Sequence, residues 1–270
     1  MSLENENEEN LLYSLELKTV QSSAFRVLIE ALKEILTDAN IEFDSTGMKI
    51  VAMDASHTVL VHLKLDSKKF ETFQCSNKIV LGVNMLNLFR LIKTMNNSDT
   101  LTLFVEKSNT NLLGIRIENG EKNTVTTQRL NLMDLNEESI QIPPATFDSV
   151  ITMPSSDFQK ICRDMHNLSD AIEIKSVGQQ LYFSCKGDFA SQETIMGETA
   201  QGMSFIKMND TEIVQGIFAL KHLVLFTKCT NLCNSIEMYL KNDYPLIIQY
   251  NVANLGAIKL CLAPQCNNTE

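Results

Sequence analysis

Apolar positions along the chain switch between two periods, and the switches recur in the same order. Tyr13–Thr19 alternates apolar and polar side chains as a strand does. From Phe25 the period lengthens. Phe25, Leu28, Ile29, Leu32, Ile35 and Leu36 recur at three- and four-residue spacing, which predicts a helix to about Thr37 capped by Ser22 or Ser23. Short strand-like runs follow at 41–43, 48–53, 59–65 and 70–75, separated by turn residues. A second helix is expected over about 84–95, and further strands over 101–106, 112–118 and 124–130. The other half repeats the scheme. Ser155 or Ser156 caps a helix to about Asn167, strands follow at 171–175, 181–185 and 194–198, a helix covers about 219–229, and strands at 236–240, 246–252 and 257–262 close the half.

The recurrence extends to residue identity. Ser22-Ser23-x-Phe25 returns as Ser155-Ser156-x-Phe158, Asp38-Ala39 returns as Asp170-Ala171 with a glycine following (Gly47, Gly178), and Gly82-Val83-x-x-Leu86 returns as Gly216-Ile217-x-x-Leu220. Three matches in one order at nearly one offset mark two copies of one domain. Two copies are too few for a solenoid and point to a closed, pseudo-symmetric assembly. The expected boundaries are an acidic, disordered tail over 1–10, a first domain over 11–131, a connecting linker over 132–146, a second domain over 147–265 and a flexible tail over 266–270. The linker holds acids, Pro143 and Pro144, and no period that helix or strand would need. Its apolar Leu135, Ile140 and Ile142 are unusual on a passive connector and suggest a docking surface.

Composition narrows the function classes. The 270 residues are 44% hydrophobic, enough for two cores, and no run of 18 apolar residues is present. Seven irregularly spaced cysteines without a secretory signal fit a reducing compartment, which leaves the sequons at Asn96, Asn167, Asn209 and Asn267 without meaning. A net charge of −10 argues against binding nucleic acid over the whole surface. The cations are nonetheless placed on the helices in same-face pairs: Arg26 with Lys33, Arg90 with Lys93, Lys160 with Arg163, and Lys221 with Lys228. One such pair is an ordinary solvated face; four on equivalent helices would give an acidic protein a basic lining if symmetry gathers them.

Catalytic machinery is missing from the pattern. There is no phosphate-binding glycine loop and no C-x-x-C. Cys162 with His166, and His57 with His62, have spacings that could share a metal, but neither pair has companions, and structural side chains explain them better. No metal, no cofactor and no enzymatic activity are expected.

Met53-Asp54-Ala55-Ser56-His57, Leu132-Met133-Asp134-Leu135, Ile161-Cys162-Arg163-Asp164, Phe226-Thr227-Lys228 and Leu262-Ala263-Pro264 resemble the eukaryotic-type sliding clamp, the proliferating cell nuclear antigen family, from about Leu11 to Gln265. The resemblance implies an α+β fold: two similar domains of the DNA-clamp fold that form a ring of three subunits, with helices lining a central hole and antiparallel sheets outside. It implies a homotrimer that encircles duplex DNA without reading sequence, tethers DNA polymerase, and is opened by a clamp loader. DNA contacts would come from Arg26, Lys33, Arg90, Lys93, Lys160, Arg163, Lys221 and Lys228. Clients carrying a short glutamine-plus-aromatic motif would dock on Met53, His57, Leu60, Ile140, Ile142, Pro143, Pro245, Leu262, Ala263 and Pro264. The subunit interface would pair the strand over 123–130 (Asn123, Val125, Gln128, Leu130) with the strand over 188–199 (Asp188, Glu193, Ile195). No membrane partner is implied, and the place of work is a nucleus or a viral replication compartment. Two departures stand out: Cys261 occupies a position where the family commonly has an aromatic residue, and Gly178 falls where the family carries a modified lysine, with Lys175 three residues away. A checkpoint-type heterotrimeric clamp subunit and a monomeric viral processivity factor are the alternatives.

Overall fold

The structure is a computed structural model that describes residues 12–136, 140–208 and 212–265. The expected tails over 1–10 and 266–270 lie outside the described residues. Two units are present. One takes the described residues up to Ala52, His62–Ile140 and Val252–Ala257; the other takes Met53–Val61, Gln141–Asn251 and the described residues from Ile258.

In the first unit, β1 (Tyr13–Thr19), β5 (Thr72–Cys75), β7 (Thr100–Glu106), β8 (Asn109–Asn119) and β9 (Thr124–Asn131) form a five-stranded sheet in the order β5-β1-β7-β8-β9. A second run places β4 (Val59–Asp66), β3 (Gly47–Met53), β2 (Asp38–Asp44) and β6 (Ile79–Asn84) side by side in that order. Helices α1 (Ser22–Ile35) and α2 (Met85–Ile92) pack on each other. The second unit repeats this plan. Strands β14 (Ser204–Lys207), β10 (Ser149–Pro154), β16 (Ser235–Leu240), β17 (Leu246–Val252) and β18 (Gly256–Leu262) run in that order. A four-stranded sheet has the order β13 (Ser191–Gly197), β12 (Gln180–Lys186), β11 (Ala171–Val177), β15 (Val214–Ala219). Helices α3 (Ser155–His166) and α4 (Leu220–Phe226) pack together, and a 3-10 segment, Thr227–Leu232, continues α4.

The recurring serines are not caps. Gln21 and Pro154 occupy the cap positions, and neither makes a side-chain cap bond. Ser22 and Ser155 are the first helical residues, both buried. The Ser22 hydroxyl donates to Asn96 C=O (3.3 Å), just after α2, and the Ser155 hydroxyl donates to Cys233 C=O (2.7 Å), just after the 3-10 segment. Each serine therefore ties one helix of its unit to the chain leaving the other. Phe25 and Phe158, three residues on, are fully buried. The helices also end sooner than their periodicity suggests: α1 stops at Ile35 and α4 at Phe226.

The Asp-Ala match is shifted by one residue in space. In β2 the buried residues are Ala39, Ile41 and Phe43; in β11 they are Ile172, Ile174 and Ser176. The counterpart of Ala39 is Ile172, because a one-residue slip would turn every core side chain outward. The two glycines differ as well. Gly178 sits at φ +54 in the turn between β11 and β12, whereas Gly47 begins β3 at φ +140 with a would-be Cβ 1.9 Å from Leu65 O. Close backbone approach requires a glycine at Gly47. Strands β6, β10, β14 and β15 have no counterpart among the expected elements.

Candidate nucleic-acid interface and docking groove

Helix amphipathicity fixes where the cations point. The core face of α1 is Phe25, Leu28, Ile29, Leu32 and Ile35, and that of α3 is Phe158, Ile161, Cys162 and Met165. Arg90, Lys93, Lys160, Arg163, Lys221 and Lys228 are exposed. Neither α2 nor α4 contains a carboxylate, so the cations there have no intrahelical ion pair. Arg163 keeps a loose pair with Asp164 (3.5 Å) at a largely exposed position.

Arg26 and Lys33 are placed differently. Arg26 Nη1 donates to Met95 C=O (3.1 Å) and Nη2 to Asn97 Oδ1 (3.2 Å). Lys33, with a side chain only 15% exposed, pairs with Glu34 and lies 4.9 Å from the centre of the Phe89 ring. These two brace α1 against α2. Lys221 and Lys228 do not share a helical face, because Lys228 lies on the 3-10 segment, where three residues per turn replace 3.6.

The proposed groove residues fall in the second unit, apart from Ile140 at the end of the first. Met53 ends β3 and is exposed, and His57 adopts φ +54 in the turn that leads to β4. Asp54 organises that turn. Its carboxylate accepts from Thr58 N–H and Val59 N–H (both 2.8 Å) and from the Ser56 hydroxyl. Burial pushes the Asp54 carboxyl up, but these donors outweigh it and hold the acid below its ordinary range. Ala263 N–H then donates to Thr58 C=O (3.3 Å), which fastens the C-terminal segment to the same turn. Leu60 is half-buried, Pro245 is half-buried at the start of β17, and Ile142 and Pro143 are exposed on the linker.

Leu262 is not a lining residue. Alternation along β18 buries Ile258, Leu260 and Leu262 and turns Lys259 and Cys261 outward, and Leu262 is fully buried. Cys261 takes the outward place, its thiol pushed up to about 11 by burial despite Lys259 nearby.

Residues outside the sequence-based expectation stand close by. Phe147 meets Tyr239 and Tyr244 edge-on, with ring centres 5.4 and 5.6 Å apart. Lys259 lies over Tyr239 and Lys241 over Tyr244. Tyr244 directly precedes Pro245, one of the proposed groove residues, and so places an aromatic ring next to that position. His222 on α4 is buried, and its Nδ1 has no hydrogen-bond partner among the described residues. Burial, then Lys221, hold its pKa below the ordinary histidine range, while Asp54 acts the other way.

Both proposed interface strands are sheet edges. Among the described residues, β9 pairs only with β8, and β13 pairs only with β12. Asn123 turns at φ +47, Val125 and Ile195 are exposed, Asp188 and Glu193 are exposed, and Leu130 is half-buried. Gln128 Nε2 donates to Leu91 C=O (3.3 Å), tying β9 to α2. Phe189, 78% exposed at the tip between β12 and β13, was not among the residues expected there. Its signal in the sequence was an aromatic residue inside a Gly-Asp-x-Ala turn.

The sequence model for the N-terminal domain of proliferating cell nuclear antigen matches residues 14–140, and that for its C-terminal domain matches residues 141–265. The chain belongs to the proliferating cell nuclear antigen family. A relative, described as a probable DNA polymerase sliding clamp 1 of Paramecium bursaria Chlorella virus 1, is 36% identical over 262 residues, which cover 96% of this chain and 98% of that one. The two-domain α+β fold of this family is the one described above, with antiparallel sheets and paired helices in each unit. Proliferating cell nuclear antigen domains account for both halves of the internal repeat. The expected domain limits, with a linker over 132–146, remain a proposal beside a junction of the matched domains at 140/141.

Proposed function

We propose that the chain is a DNA polymerase sliding clamp: three copies close a ring around duplex DNA and hold a polymerase and other replication and repair proteins to it. The observation that carries this reading is the match to both clamp domains across residues 14–265. Six exposed cations on or just after α2, α3 and α4 in a chain of net charge −10 support it, because a ring needs weak, sequence-blind phosphate contacts only on its inner surface. Topology retains the DNA, so tight contacts would only impede sliding. The chain acts by binding, and its chemistry is that of a platform.

The ring closes by joining β9 of one copy to β13 of the next, continuing one sheet across the contact. Phe189 and Ile195 add apolar area beside that edge. A clamp loader opens the ring, and clients dock their glutamine-plus-aromatic motif on Met53, His57, Leu60, Ile140, Ile142, Pro143, Pro245, Ala263 and Pro264. Replication in a nucleus or a viral replication compartment is the setting. The test is light scattering followed by DNA retention. A homotrimer that a loader places on nicked circular DNA, and that is lost when the circle is cut, is the expected result. A stable monomer that holds linear DNA with steep salt dependence would overturn the ring.

A further inference from the structure

Strand β6 is the last of its run, and among the described residues it pairs with β2 alone. Met85 N–H, just past β6, donates to Thr37 C=O (2.9 Å), whereas Gly82 C=O accepts from Met133 N–H (2.8 Å) on the opposite side. In an antiparallel ladder a residue sends both its N–H and its C=O to one side, and successive residues alternate. The odd-numbered residues of β6 therefore bond to β2, and the even-numbered ones point outward. Val80 sends its N–H and C=O to that outer side, and neither has a partner among the described residues. The linker reaches Gly82 but not Val80. Leu135 C=O accepts from Asn40 Nδ2 (3.2 Å), and a Cβ on Gly82 would lie 3.0 Å from the Leu135 side chain, so the chain crosses the face of the sheet there and leaves its edge.

A cavity of about 470 Å3 opens beside Val80, within the first unit, between β6 and the start of β1. Val80 is 48% exposed, and Ser76 and Asn77 supply polar groups at the turn before β6. In a chain of net charge −10 this lining includes no carboxylate, and its one cation is Lys107. Tyr13 and Ser14 line the cavity too, and Lys107 N–H donates to Leu12 C=O (2.9 Å), so residues 1–11 join the fold at the cavity's rim. Eleven residues can reach about 35 Å when extended, far more than crossing the cavity requires. Their sequence alternates: Glu4, Glu6 and Glu8 are separated by Asn5 and Asn7. An extended backbone gathers those three carboxylates on one face.

We propose that the chain's own N-terminal segment, within residues 1–11, is the occupant of this site. It crosses the cavity, adds to β6 at Val80 as an extra strand, and turns its Glu4, Glu6 and Glu8 face toward Lys107. Main-chain bonds to Val80 set the register, and charge complementarity selects an acidic strand. Between Leu3 and Leu11 the segment has no apolar residue, so it gains little from burial, and salt should release it. The consequence is protective. A sheet edge with unpaired N–H and C=O groups invites a strand from another chain, and a tethered acidic segment withdraws it from other copies and from other proteins.

Amide hydrogen exchange at Val80 in the full-length chain tests this. Exchange should be about tenfold slower in the parent than in the Glu4→Lys/Glu6→Lys/Glu8→Lys variant, and raising the salt should speed the parent toward the variant. Lys107→Glu alone should also lose the protection, and combining it with the three tail reversals should restore it. The tail variant leaves every described residue intact, so it decides the matter even if Lys107→Glu fails to fold. Equally fast exchange at Val80 in the parent and the tail variant would overturn the proposal. Protection that survives the tail reversals would assign the edge to another part of the chain, such as residues 137–139, and overturn it as well. Protection that grows with protein concentration would mean that a second copy supplies the strand, and the segment would not be acting on its own chain.

Discussion

Ile142 keeps 40% of its surface exposed on a connector, next to Pro143, where no core needs it. Such a side chain is suited to burial against a client's apolar anchor. Ile142→Ala removes three carbons, which should cost about 1–2 kcal/mol of motif-peptide affinity, roughly five- to thirtyfold in Kd. Cys261→Tyr should act in the opposite sense by restoring aromatic area on the outward face of β18. Calorimetry with one peptide reads both, and a parent-like Kd for Ile142→Ala would move the groove elsewhere. His222 supplies a residue-scale effect of another kind. Burial holds its folded pKa below the unfolded value of about 6.5. Below that pH the unfolded chain binds the extra proton first, so stability present above pH 6.5 is lost as pH falls toward the folded pKa. Thermal melts between pH 7.5 and 5 should show a shallower decline in Tm for His222→Leu than for the parent. Equal slopes would mean that the imidazole does not change its protonation on unfolding.

At the scale of elements, the two serine anchors and the two edge strands make separable predictions. Ser155→Ala deletes the bond to Cys233 C=O and leaves a carbonyl short of a partner, so denaturant melts should show a loss of about 1–2 kcal/mol. No change would mean that water replaces the hydroxyl. Val125→Pro in β9 removes an N–H and fixes φ in a strand proposed to pair with the next subunit. The expected product is a folded monomer in light scattering; an intact trimer would put the interface elsewhere. These same elements show what the sequence revealed. The 3.6-residue stripe of α1 and α3 was plain because each helix buries one face only. Strand β10 ends at Pro154 and flows directly into α3, β15 carries Gly216 in its middle, and β14 has four residues, so none shows the long alternation that marks a half-buried strand. The serines were readable as important but not as anchors, since a cap and an anchor have the same sequence. Leu262 was legible as part of a motif, but its facing depended on where β18 begins.

Charge acts over the whole molecule, and there the cations divide into two groups with different duties. Arg26 and Lys33 are engaged within their own unit, so their loss should lower stability before it touches DNA. Arg90 and Lys93 are exposed at the end of α2, with no carboxylate on that helix. Reversing both to Glu changes the net charge of each chain by four, from −10 to −14, without removing any buried contact. If these residues face the phosphates, the double reversal should leave the melting temperature and oligomer size unchanged while shortening the tracts made by a loader-assisted polymerase. The deficit should narrow as salt rises, since screening weakens the contacts of the parent and the repulsion in the variant alike. Client-peptide affinity should stay the same, because the groove residues lie in other elements. Parent-like tract lengths at physiological salt would remove α2 from the DNA-facing surface. A deficit that persists undiminished at high salt would instead point to a damaged fold or a lost protein contact.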